Sequence, residues 1–202
     1  MQLYTIFPPK NINVDFSFNL KGNNKDNISD YFKFNIDDSF LKKPRINLTY
    51  DDEFEFQLSE ILDADFYFSS SGILLFSKKF LEISQDKLKE EALFFPCLIN
   101  NTPSKIYALY IKNSIDFLDN KSLDCYKDIS YKYIFRDKLK PYIYGVTDEF
   151  KKMVIENNLK MQFLELYDID NTVIFCFTLE QHREIRVSWV ENLTVTEEKF
   201  SL

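Results

Sequence analysis

Apolar and polar residues alternate with a period of two along several short runs of this chain, and with a helical period along a few others. "LYTIF" reads as a strand, stopped by Pro8 and Pro9. The polar run "KGNNKDNISD" (21–30) carries the composition of a surface loop. A second strand is predicted at 46–50, where Ile46, Leu48 and Tyr50 alternate with polar residues. The next stretch, 51–65, fits two periods. Phe54, Phe56 and Leu58 continue the alternation, whereas Phe54, Leu58, Ile61 and Leu62 share one helix face, and a helix is preferred over the second half.

Beyond residue 64 the pattern sharpens. "DFYFS" and "ILLF" read as strands, and 77–88 as a helix with Ser77 as its N-cap. "LFFPCLIN" is strand-like, with Pro96 demanding an edge or a bulge. "KIYALYIK" (105–112) is apolar for six residues running, which predicts a central strand covered on both faces. Further strands are predicted at 131–136, 142–146, 161–167, 172–178 and 185–190, with "DIDN" (168–171) as a hairpin turn.

In "YGVTDEFKKMVIENNL" (144–159), Thr147 stands where an N-cap belongs, and Asp148 and Glu149 fall in the first turn, where the helix dipole favours negative charge. Phe150, Met153, Val154 and Asn157 then define the inward stripe, with Lys151 and Lys152 facing water. Capping accounts for both acids without catalysis. "GILLFSKKFLEI" and "YIYGVTDEFKKMV" echo one another as strand, hydroxyl cap, Phe and helix, each followed by a further strand. Two strand–helix–strand units packed side by side are expected. The fold class is α+β, a mixed or mainly antiparallel sheet with a few short helices packed on it. We read 1–202 as one domain, with a less regular N-terminal part (1–63), an α+β core (64–170) and C-terminal strands (171–202).

Composition adds three constraints. The 202 residues hold 21 Phe and 12 Tyr but only three Gly, which favours aromatic-packed β structure over disorder. The net charge of −7 argues against nucleic acid as a partner and for attraction to basic proteins. Three cysteines (Cys97, Cys125, Cys176) without metal spacing predict reduced thiols. With no basic and apolar leader in "MQLYTIFPPK" and no membrane-length apolar run, a cytoplasmic protein is expected.

Chemistry is sparse. His182, the single histidine, lies in the charged segment "TLEQHREIR" and reads as a surface residue. No GxSxG elbow or phosphate-binding glycine loop is present, and "DIDN" lacks the glycine and terminal glutamate of a calcium loop. Among 32 acids the sequence singles out no glycosidase-type pair. Trp189 shares a strand face with Val187 and reads as core or as a binding anchor. We therefore expect no catalytic residues, no metal and no cofactor. Residues 46–65 carry seven acids, no Lys or Arg, and interleaved aromatics. This is either a solvated face or a docking surface for a basic partner, with Tyr50, Asp51, Asp52, Glu53, Phe54 and Glu55 as the candidate contacts.

Four motifs follow one another over about 64–167: the helix start "SKKF", the turn "IDFLD" with Ser122 shortly after, the strand "IFR" and the helix "VTDEFK". Their order and spacing resemble the immunity-protein family eleven of bacterial polymorphic toxin systems. The resemblance implies a non-catalytic binding protein that occludes the active site of a cognate toxin domain and protects the cell that makes it. A basic toxin, such as a nuclease, would suit the charge. The alternative is a structural or adaptor module that self-associates through aromatic-rich strand edges.

Overall fold

The computed structural model describes residues 3–9, 16–34, 44–50, 62–116 and 132–165. Their elements run β1 (Leu3–Phe7), β2 (Asn19–Leu20), α1 (Lys25–Phe34), β3 (Ile46–Thr49), β4 (Phe66–Tyr67), β5 (Leu74–Ser77), α2 (Lys78–Leu88), β6 (Ala92–Ile99) and β7 (Thr102–Ile111). They continue with β8 (Ser114–Ile115), β9 (Ile134–Asp137), β10 (Tyr144–Thr147), α3 (Asp148–Glu156) and β11 (Gln162–Glu165). The strands form two sheets, ordered β11-β1-β10-β9-β8 and β2-β3-β6-β7-β5-β4. Most pairs are antiparallel; β3 with β6 and β8 with β9 are parallel. The α+β class expected from the sequence is the one observed. The strands and turn expected at 168–178 and 185–190, the first part of the 51–65 stretch, His182 and Trp189 lie outside the described residues.

β7 is central, and its alternation explains why its sequence is apolar throughout. Ile106, Ala108 and Tyr110 enter one core, while Leu109 and Ile111 enter the other. The first core lies between the longer sheet and α1. The second joins that sheet to α2, α3, β1, β9 and β10. β6 and β7 meet in a tight hairpin at Asn100 (φ 48°) and Asn101 (φ 67°), two left-handed positions that asparagine tolerates.

One expectation needs correction. The 21–30 run is not wholly loop, because α1 begins at Lys25. Only Lys21–Asn24 is irregular. Downstream, Ile28, Tyr31 and Phe32 at helical spacing are buried. Tyr31 stacks on Tyr110 at 4.6 Å between ring centroids, and Phe32 meets Phe95 edge-on at 5.6 Å. Tertiary packing of three aromatic or aliphatic side chains overrides the polar composition of the surrounding run.

The echo between the two capped helices has a topological counterpart. β5 and β6 run parallel on either side of β7, and β10 and β11 run parallel on either side of β1. Each unit is therefore a strand–helix–strand crossover split by one antiparallel strand. The registers correspond: Ser77 faces Ile106 as Thr147 faces Leu3, and Leu109 faces Phe94 as Ile6 faces Phe163. The caps correspond too, with the Phe80 N–H donating to Ser77 Oγ (3.1 Å) and the Phe150 N–H to Thr147 Oγ1 (3.3 Å). The units touch through those same phenylalanines, whose ring centroids lie 5.7 Å apart. One difference stands out. The inserted strand of the first unit, β7, follows directly from β6, whereas that of the second, β1, comes from the start of the chain.

Candidate functional site

Asp148 and Glu149 stand in the first turn of α3, behind the Thr147 cap. Asp148 accepts a hydrogen bond from the Tyr4 hydroxyl at 3.1 Å, which ties the helix to the strand inserted beside β10. Burial, and then the neighbouring Asp148, push the Tyr4 phenol up to about 12. Lys152 is exposed as expected, but Lys151 is not simply solvated: its ammonium lies 4.1 Å from the Tyr4 ring centroid.

Four Asp, Glu or Arg side chains are buried among the described residues: Asp65, Glu91, Arg136 and Asp137. Each is occupied by backbone. Glu91 accepts from the N–H groups of Lys132 (2.6 Å), Tyr133 (2.9 Å) and Ile134 (2.9 Å), holding the approach to β9 against the end of α2. Asp65 accepts from the Lys160 N–H at 2.7 Å and from the Ser77 hydroxyl, so one carboxylate joins the two split units. Asp137 closes a turn through the N–H groups of Leu139 (2.9 Å) and Lys140 (2.7 Å). Arg136 Nη1 donates to the carbonyls of Phe32 (2.9 Å), Lys33 (2.8 Å) and Pro141 (3.2 Å), two of them at the C-terminus of α1. Burial lowers the Arg136 guanidinium to about 10, with the nearby Tyr110 acting in the opposite direction. Among the described residues no group of three His, Cys, Asp or Glu is placed to hold a metal ion.

The feature with binding character lies on β6. Cys97, Leu98 and Ile99 pair with β3, but Ala92–Pro96 have a partner strand on the β7 side only, among the described residues. Pro96 sits where the register with β7 shifts, so its missing N–H falls at the bulge that the sequence demanded. Beside this half-paired stretch runs a groove of about 690 Å³, walled by Pro44, Leu93, Phe95, Pro96, Leu98 and Pro103, with Arg45 and Ser104 among its polar rim. Leu93 is 43% exposed, and Pro96 and Arg45 are also exposed. Cys97 lies on the groove floor with its thiol pushed up to about 12 by burial, which leaves it a protonated, packed side chain.

Of the six candidate contacts read from the sequence, Tyr50 is half-buried rather than projecting. Its ring packs edge-on against Phe18 (6.3 Å) and tilted against Phe16 (6.2 Å). Asp51, Asp52, Glu53, Phe54 and Glu55 lie outside the described residues. The β6 groove does not follow from the sequence; in "LFFPCLI" only Pro96 pointed to a break in the ladder, where the register with β7 does shift. Compared with protein-family models, with characterised proteins and with solved structures, the chain has no significant match.

Proposed function

We propose that this protein acts by covering the surface of another protein, as an immunity protein that occludes the active site of a cognate bacterial toxin domain. One observation carries the binding reading: an exposed apolar groove beside a strand that, among the described residues, has a stretch paired on one side only. Such a strand offers backbone groups to an added strand, while the groove offers pockets for its side chains. The toxin reading rests on the ordered motifs at 64–167 and on the net charge of −7, which favours a basic partner. "SKKF" and "VTDEFK" correspond to the capped starts of α2 and α3.

Leu93→Glu tests the surface directly. Because Leu93 is 43% exposed, the substitution is expected to leave stability within about 0.5 kcal/mol of the parent. Affinity for the toxin domain should fall about tenfold or more, since a charge would be desolvated in the apolar contact. Unchanged affinity would remove β6 from the interface. The acidic segment makes a separate prediction. Replacing Asp51, Asp52, Glu53 and Glu55 by Lys should slow association and flatten its dependence on salt. Association rates identical to the parent's at low ionic strength would exclude those acids from steering.

A further inference from the structure

Phe34, Leu139 and Tyr142 are three of the five large apolar side chains that stand exposed among the described residues, and they come from two segments that meet. Phe34 ends α1, and its ring meets the Tyr142 ring edge-on at 6.1 Å. Leu139, 62% exposed, stands on the turn that Asp137 closes just before Tyr142. None of the three lines the β6 groove. The backbone on both sides of the ring pair is fixed by Arg136. Its Nη1 donates to the carbonyls of Phe32 and Lys33 on α1 and to that of Pro141 on the turn. The two segments are thus joined before anything binds, which lowers the ordering cost of an encounter.

Charge here runs against the sign of the whole chain, which is −7. The Lys33 stem lies along Gly72, and its ammonium is 6.0 Å from the Phe34 ring centroid. Lys138 and Lys140 flank Leu139 and are both exposed. Arg136 adds a buried cation hydrogen-bonded to carbonyls. Against these four stand Asp30, one turn before Phe34, and Asp116, one step past the Ile115–Asp137 pair. Asp137 itself is turned inward to the Leu139 and Lys140 N–H groups. Cations are therefore in excess around an apolar centre. A two-fold dimer through this face would set its lysines against their own copies, so a second molecule of this chain does not fit. A membrane or a nucleic acid presents negative charge to the whole acidic surface, whereas a short segment feels the field within about 8–10 Å. We propose that the Phe34–Leu139–Tyr142 face is a docking surface for an acidic segment of a partner protein. An apolar side chain of that segment rests on the ring pair, and its carboxylates meet the lysines. This surface goes beyond the covering of a basic toxin, because it takes a partner of the opposite charge.

Selection of a random-peptide display library on the full chain tests this surface without any toxin. Enriched peptides should carry Asp or Glu on either side of an aromatic or aliphatic residue. By fluorescence anisotropy, a selected peptide should bind the variant Lys138→Glu/Lys140→Glu about tenfold more weakly or worse, and the parent more weakly as salt is raised. Both lysines are exposed, so the variant should keep the parent's Tm. Phe34→Ser should weaken the same peptide, and Leu93→Glu should leave it unchanged. Peptides without acids, no enrichment, or equal binding to the lysine variant would each overturn the proposal. A loss confined to Leu93→Glu would seat the peptides in the β6 groove and overturn it as well, while leaving the groove's own role standing. Binding of phosphatidylserine vesicles in place of peptides, lost in the lysine variant, would assign the face to a membrane surface and equally overturn it.

Discussion

At residue scale, the buried polar groups of this protein are fasteners for backbone, and Cys97 shows how the apolar ones respond to pH. Its thiol is raised from the usual 9.0 to about 12 by burial. The unfolded chain therefore loses that proton first as pH rises. The stabilising contribution is fully present below about pH 9 and is lost progressively as pH climbs toward 12. Tyr4 acts in the same sense, from 10.0 to about 12. Denaturant midpoints are expected to hold up to pH 9 and to fall between pH 9 and 12, with a smaller fall in Cys97→Ala. Peptide-level mass spectrometry after alkylation at pH 8 should find Cys97 protected in the folded protein and modified in denaturant. Rapid modification of Cys97 under native conditions would contradict its burial.

At element scale, the two split units meet through Phe80 and Phe150, and their coupling can be measured. A double-mutant cycle of Phe80→Leu and Phe150→Leu should return an interaction of about 0.5–1.5 kcal/mol. Strict additivity would show that the helices pack independently. Much at this scale was legible in the sequence. Ser77 and Thr147 announced both helices because a hydroxyl before an apolar stripe has a defined partner, the N–H three residues on. "KIYALYIK" announced the central strand because only a strand covered on both faces dispenses with polar alternation. α1 was not legible. Its stripe of Ile28, Tyr31 and Phe32 is short, and the helix depends on rings contributed by β6 and β7, far away in sequence. Nor was the groove legible as a site. Phe94 and Phe95 signalled a buried strand, while the pairing that, among the described residues, stops short of Ala92–Pro96 is a property of the β3 register.

At the scale of the molecule, the described residues combine a core knitted by backbone-directed carboxylates with an open apolar groove on β6. No helix among them is long and apolar enough to cross a membrane. Two of the buried carboxylates stiffen the platform by tying segments distant in sequence, Glu91 to 132–134 and Asp65 to 160. A stiff platform lowers the ordering cost of association, which suits the proposed role of covering a partner's surface. The measurement that tests the proposed function most directly is growth of bacteria expressing a candidate toxin domain, taken from a gene adjacent to this one, with and without the protein co-expressed. Full growth with the parent protein, and its loss with Leu93→Glu at equal expression, is the predicted result. Cells that die equally with and without the parent protein would contradict the account.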